Sequence, residues 1–275
     1  MIDCVSITNR LKKEIKEEVS KFKRKPCLAI IQVGDDSASK NYVKGKISDC
    51  EEVGIETRLM KLPTDSTRTI VELVINELNN DSLVDGIILQ LPLPEHLRDY
   101  EDELTNLIKT SKDVDGFHKD SPFVPCTPMG VMTLLDKLHI DLEGKSVALV
   151  GYGKLVGKPL FKFLMNKKAT VTVCRSYTSE EDRDFYCRNS DIIITAVGKR
   201  NLITRSSLCL YKNQIIIDCG ITVEDGKQYG DCAEEIYNVV NLCTPRIKGM
   251  GLFTRVSLLQ NTVKAYKIKF DLFEN

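Results

Sequence analysis

Tyr42 and Lys46 stand four residues apart in NYVKGK (41–46), so a helix would set an aromatic ring and an amine on one face. An amine in such a place moves protons near neutral pH only where its surroundings favour the neutral form. By itself the pair suits an ordinary surface equally well. Two more stretches carry polar groups in suggestive places. IILQLPLPEHL puts Gln90 at the end of an apolar run, ahead of Pro92 and Pro94, and KDVDGFHKDSPFVPCTP holds Asp113 and Asp115 ahead of Gly116. Polar side chains at the carboxyl ends of parallel strands are where open α/β sheets bind ligands. A lone Asp-Gly is otherwise a plain turn former.

A second constellation lies in VGYGKLVGKP (150–159), where Gly151, Gly153 and Gly157 read G-x-G-x-x-x-G, one residue longer than the dinucleotide fingerprint. Tyr152 and Lys154 complete the loop. It follows the apolar run SVALV and precedes the helix-like KPLFKFLM, the context in which glycines and a helix N-terminus receive a pyrophosphate. A glycine-bearing turn without a ligand is the alternative. The next apolar run ends in Cys174-Arg175-Ser176-Tyr177-Thr178, with no acid before Glu180. NAD-specific sites place an acid near this point for the ribose hydroxyls. A guanidinium and hydroxyls suit a 2′-phosphate instead, which favours NADP over NAD.

These residues need elements to hold them. Strands are expected at 27–33, 55–62, 84–90, 146–150, 169–174, 191–197 and 214–220, separated by helix-like stretches of about 12 to 18 residues, the spacing of βαβ units with a parallel sheet. The strands read as continuous apolar runs, as strands buried on both faces do. SPFVPCTPMG (121–130) breaks the pattern and divides one βα set from a second; Thr127 can cap a helix starting there, with Pro128 in its first turn. SLLQNTVKAYKIKF is a further helix, expected to pack on the first set. A formal net charge of zero gives no electrostatic support for a nucleic-acid partner. The ten cysteines are scattered without C-x-x-C spacing, and His96, His118 and His139 lack paired ligand spacing, so neither a disulfide framework nor a metal is expected. No apolar run has the length of a membrane span or the form of a signal peptide, which reads as a reduced, cytoplasmic protein.

Taken together the stretches VGDDSASKNYVKGKISDCEEVGI, DGIILQLPLP, KDVDGF, PCTPMGVMTLL, GKSVALVGYGKLVGKPL, ATVTVCRSYT, SDIIITAVGK, IIIDCGI, YGD and LLQNTVKA resemble the bifunctional methylenetetrahydrofolate dehydrogenase/cyclohydrolase family over nearly the whole chain. The resemblance implies a two-domain α/β fold: a folate-side domain over 1–121, completed by helix 255–275, and a Rossmann-like NAD(P) domain over 122–254, with a catalytic cleft between them. It implies a cytoplasmic homodimer acting on tetrahydrofolate one-carbon derivatives, in one-carbon metabolism that includes purine biosynthesis. Tyr42 would stack on the folate, Lys46 would be the acid/base, Gln90 would hold Lys46, and Asp115 would bond the pterin. Gly151, Tyr152, Gly153, Lys154, Gly157, Arg175, Ser176 and Thr178 would lie near the cofactor, with Gly198 and Ile221 bordering the nicotinamide. A hydride would leave the methylene carbon, and water would then open the methenyl cation to the 10-formyl folate.

Three features depart from the family pattern. Gly151-Tyr152-Gly153 replaces the usual Gly-Arg-Ser, and Arg175 stands where a histidine is usual, so a phosphate-binding cation has moved to the next loop. Thr244-Pro245-Arg246-Ile247-Lys248-Gly249-Met250-Gly251-Leu252-Phe253-Thr254 stands where the family usually has Thr-Pro-Val-Pro-Gly-Gly-Val-Gly-Pro-Met-Thr, losing two prolines and gaining two cations; the loop is either more mobile or turned toward anions of the folate tail or cofactor. A dehydrogenase for small organic acids would account for the glycine loop but not for Tyr42, Lys46, Gln90 and Asp115. A single-activity member, or a folate- or nucleotide-binding protein without turnover, is the remaining alternative.

Overall fold

The computed structural model describes residues 1–35, 37–209 and 211–272. The chain divides into two compact units, one of Asn9–Cys126 with the chain from Arg255 on, the other of Met1–Thr8 with Thr127–Thr254. In chain order the first elements are α1 (Cys4–Val19), β1 (Cys27–Val33), α2 (Ser37–Val53), β2 (Glu56–Leu62), α3 (Arg68–Asn80), β3 (Gly86–Leu89) and α4 (Glu101–Leu107). There follow α5 (Cys126–Lys137), β4 (Ser146–Val150), α6 (Gly157–Asn166), β5 (Thr170–Cys174), α7 (Glu180–Asn189), β6 (Ile192–Thr195) and β7 (Ile215–Asp218). The last are β8 (Thr222–Glu224), β9 (Lys227–Tyr229), α8 (Ile236–Val239), β10 (Leu242–Cys243) and α9 (Met250–Phe270).

The first unit is built on a parallel sheet of order β2-β1-β3. Every residue of β1 and β3 is buried, because helices cover both faces of a parallel sheet. From α3, Val71, Ile75 and Leu78 meet Ala29, Ile31, Ile87 and Leu89, the i, i+4, i+7 spacing of one helical face. Helix α9 is buried on almost every side between Val256 and Tyr266, which marks it as a core helix.

The second unit carries a parallel sheet of order β10-β7-β6-β4-β5. Its first strand in chain order, β4, has β5 on one side and β6 on the other, so the chain reverses its direction of winding at the carboxyl end of β4, where such sheets bind ligands. The expected α/β class and the seven main strands are therefore found, most with ends trimmed by a residue or two. The β8–β9 hairpin and the short β10 were not foreseen. Thr127 does not act as an N-cap: it lies inside the first turn of α5, with its hydroxyl 3.1 Å from that of Thr254. Cys126, the residue before it, opens the helix instead.

Candidate functional site

In the three-stranded unit, α2 presents Tyr42 and Lys46 one turn apart and β3 delivers Gln90 just past its last paired residue. The Gln90 backbone N–H still donates to Ile31 O at 2.8 Å, so the pairing with β1 runs on to the point where the side chain emerges. Lys46 is 5% exposed, and its Nζ donates to Gln90 Oε1 at 3.0 Å. Gln90 Nε2 donates to Leu91 O at 2.7 Å, which turns the amide oxygen toward the lysine. Lys46 Nζ also lies 5.0 Å from the centre of the Tyr42 ring, within cation–π range. Tyr42, Lys46 and Gln90 thus form one cluster.

Asp115 comes to the same unit by a different route. The chain at Asp113 bridges to Ile87 of β3, then turns at Gly116, whose φ is +76°. Asp113 and Asp115 part company here. Asp113 is buried, and its carboxylate accepts the His118 N–H at 2.9 Å; burial pushes its pKa up against that hydrogen bond. Asp115 is half-buried. Two residues that the sequence did not single out support its turn. The buried Cys126 thiol donates to Val114 O at 3.4 Å, and Asn261 Nδ2 on α9 donates to Val114 O and Val124 O, both at 2.9 Å. Burial first, then the Asp115 carboxylate, hold the Cys126 thiol well above its ordinary pKa, while the Lys46 ammonium acts the other way.

In the five-stranded unit the glycine loop closes tightly on itself. A Cβ on Gly157 would sit 2.2 Å from Gly151 O, and one on Gly151, whose φ is +106°, would sit 2.5 Å from Ala196 O. Gly153 faces open space, so two of the three glycines are sterically required. Tyr152 packs edge-on against Phe161 with ring centres 5.9 Å apart, and its ring lies 5.9 Å from the Arg175 guanidinium. Arg175 and Thr178 close their turn from both ends: the Arg175 N–H donates to Thr178 Oγ1 at 2.9 Å, and the Thr178 N–H to Arg175 O at 2.9 Å. Arg175 and Ser176 are exposed, and among the described residues no carboxylate is paired with Arg175. Lys154 is exposed on the loop. A bare cation flanked by hydroxyls fits a ribose phosphate. Gly198 and Ile221 are neighbours, since a Cβ on Gly198 would approach Ile221 O to 3.3 Å. The turn at Gly198 is held by the buried Asp231, which sequence reasoning did not assign.

Comparison with known proteins gives matches over both units. Residues 2–115 match the family model of the tetrahydrofolate dehydrogenase/cyclohydrolase catalytic domain, and residues 125–270 that of its NAD(P)-binding domain. A bifunctional protein FolD of Campylobacter jejuni (strain RM1221) is 42% identical over 98% of this chain and 99% of its own length. The crystal structure of the Campylobacter jejuni bifunctional enzyme, methylenetetrahydrofolate dehydrogenase/cyclohydrolase, superposes with a TM-score of 0.88 at 39% identity, covering 97% of this chain and 98% of that one. The Trypanosoma brucei dehydrogenase-cyclohydrolase, solved with NADP and an inhibitor, superposes with a TM-score of 0.90 at 29% identity, covering 98% of each chain.

Proposed function

The chain belongs to the tetrahydrofolate dehydrogenase/cyclohydrolase family, and from that premise we propose how its residues divide the work. The protein oxidises 5,10-methylenetetrahydrofolate to 5,10-methenyltetrahydrofolate with NADP, and hydrolyses the methenyl form to 10-formyltetrahydrofolate. The observation that carries the assignment of roles is the Lys46–Gln90–Tyr42 cluster: a buried amine held by a neutral acceptor beside an aromatic face.

Tyr42 offers its ring to the folate, and Asp115 bonds the pterin from the turn at Gly116. Lys46 handles the protons that move as water adds to the methenyl carbon and the ring opens. Gln90 suits this task because an amide oxygen accepts a hydrogen bond from Nζ whether the amine is charged or neutral, whereas a carboxylate would pin the proton. NADP, when bound, supplies the acceptor for the hydride of the methylene carbon. Gly151, Tyr152, Gly153, Lys154 and Gly157 would lie along its pyrophosphate. Arg175, Ser176 and Thr178 would hold the 2′-phosphate, and Gly198 and Ile221 would border the nicotinamide. The bare guanidinium at the end of β5 supports this reading over an NAD site, which would carry an acid there.

We place the folate half at 1–121 with 255–275 and the cofactor half at 122–254. The chain acts as a homodimer in the cytoplasm, supplying one-carbon units that include those for purine synthesis. No helix among the described residues is long and apolar enough to cross a membrane. The test is spectroscopic: methenyl formation from methylenetetrahydrofolate with each nicotinamide, then methenyl decay without nucleotide. Formation with NADP and decay above the buffer rate are expected. Absence of both sinks the assignment, and a clear preference for NAD overturns the role of Arg175.

A further inference from the structure

We propose that Asp231 is a positioning residue for hydride transfer: its buried carboxylate, interlocked with Asp218 across two glycines, fixes the turn at Gly198 and the segment at Ile221. The proposal rests on the reading of these two residues as neighbours of the nicotinamide.

Asp231 is 0% exposed, and among the described residues no cation is paired with it. A carboxylate in that position must be satisfied by hydrogen bonds. It accepts four. Oδ2 takes the Thr195 hydroxyl at 2.6 Å and the Val197 N–H at 2.8 Å; Oδ1 takes the Gly198 N–H at 2.8 Å and the Lys199 N–H at 2.7 Å. Three successive amides wrapped around one anion define a single backbone path. The Asp231 main chain adds to this, since its carbonyl accepts the N–H groups of Leu202 and Ile203 at 2.7 and 3.1 Å.

Asp218, at the end of β7, mirrors the arrangement. Its carboxylate accepts the N–H groups of Gly220 at 3.0 Å, Asp231 at 3.1 Å and Cys232 at 2.9 Å, and the Tyr237 hydroxyl at 2.9 Å. A Cβ on Gly220 would lie 2.0 Å from Asp231 Oδ1, and one on Gly230 would lie 2.2 Å from Asp218 Oδ2. Each aspartate therefore rests against the glycine that belongs to the other's loop. The chain beyond β6 and the chain beyond β7 are locked to one another, and nothing larger than glycine fits at either point.

A purely structural carboxylate would be expected to tie strands or helices. These strands are already paired through Ile192–Thr195 and Ile215–Asp218. The Asp231 carboxylate spends three of its four bonds on amides of residues 197–199, which are exposed at the carboxyl edge of the sheet. Hydride transfer depends on donor and acceptor carbons being held within a few tenths of an ångström, and a displacement of about 1 Å costs on the order of 100-fold in rate.

Asp231→Asn keeps the shape but turns an NH2 group toward backbone N–H donors. It is expected to lower the NADP-linked dehydrogenase kcat by about 10- to 100-fold, while methenyl hydrolysis measured without nucleotide stays within about threefold of wild type, the hydride step alone being displaced. A folded variant with unchanged dehydrogenase kcat and unchanged KM for NADP overturns the proposal. So does a loss of both activities in equal proportion, which is the mark of general damage. If the variant is insoluble, Thr195→Val removes only the hydroxyl at 2.6 Å. It should show the same selective loss, about 3- to 10-fold, restored by Thr195→Ser; a Thr195→Val enzyme with wild-type kcat also refutes it. A wild-type enzyme that forms no methenyl product with either nicotinamide defeats the functional reading first, before any variant is compared.

Discussion

Lys46→Met separates two quantities that a buried lysine normally confounds, stability and proton transfer. The side chain is 5% exposed and its Nζ donates to Gln90 Oε1 at 3.0 Å. Methionine fills a similar volume, so little cavity term arises. It leaves Gln90 Oε1 without its donor, a cost of about 1–3 kcal/mol. It also removes the cost of burying a polar amine that is 5% exposed. The two effects oppose each other, so the thermal midpoint should stay within a few degrees of wild type or rise. Catalysis has no such offset. Loss of a positioned acid–base group lowers the rate by roughly 10²- to 10⁴-fold, which is about 3 to 5 kcal/mol of barrier at 1.36 kcal/mol per decade. The assay follows decay of the methenyl absorbance without nucleotide, with the buffer rate subtracted. Gln90→Leu is the companion: it keeps the amine but frees it, and should cost about 10-fold. A folded Lys46→Met enzyme hydrolysing within about threefold of wild type would refute the reasoning, and a larger loss in Gln90→Leu than in Lys46→Met would move the proton chemistry to another group.

Three further outcomes follow from other parts of the chain. Arg175→Ala should raise the Kd for NADP by about 10-fold or more while changing that for NAD by less than about threefold, since a charge-assisted bond to phosphate is lost only in the first case; parallel weakening of both, by titration of cofactor fluorescence, would disprove it. Gly116→Ala adds a Cβ 2.7 Å from Pro125 N at a φ of +76°. It should cost about 2–4 kcal/mol, from left-handed strain plus overlap, read as a fall in thermal midpoint; an unchanged midpoint counts against the turn as described. Asp184 is buried, which by itself raises its pKa, but hydrogen bonds from Ser206, Ser207 and Arg183 prevail and hold it below the ordinary carboxylate value. The folded pKa is the lower one, so its stabilisation is complete above the unfolded value of about 3.9 and is lost as pH falls through the folded value. Thermal midpoints between pH 6 and 3 should therefore fall less steeply in Asp184→Asn than in wild type, and identical slopes would remove Asp184 from the account.

The sheets were legible because burial on both faces leaves an unmistakable mark: CLAIIQV, GIIL, SVALV and IIIT are dominated by apolar residues without strict alternation and appear where expected. Lys46 and Gln90 drew notice by type and place, an amine on a helix face and an amide where a strand ends, but only the family resemblance joined them into one site. The β8–β9 hairpin was missed although its turn, Asp225-Gly226, is a strong hairpin signal; with three residues a side there was too little alternation to read. Asp231 and Asn261 escaped for a different reason. Their partners lie 32 to 36 and 137 to 147 residues away, and a polar residue that is satisfied by distant parts of the chain looks like any surface polar residue until the chain is folded.

The altered loop at 244–254 shows where local charge misleads. Arg246 and Lys248 replace neutral residues of the family pattern, and read along the chain they invite an anionic ligand. In the folded unit Arg246 pairs with Glu234 at 2.8 Å, and its guanidinium lies 5.5 Å from the Tyr229 ring, which Arg200 covers from 3.8 Å. Arg200 in turn pairs with Glu224 at 2.8 Å. Both arginines already have partners, so any anion that reached them would have to displace a carboxylate. Exposed pairs of this kind contribute at most about 1 kcal/mol each to stability, so the more lasting effect of the substitutions is on backbone path. There Gly249 is decisive: its missing Cβ would lie 1.9 Å from Pro245 O, and Lys248 beside it adopts φ +60°. Tight chain reversal therefore survives the loss of two prolines because one glycine and one left-handed residue supply it, and Arg246 is fastened within its own unit.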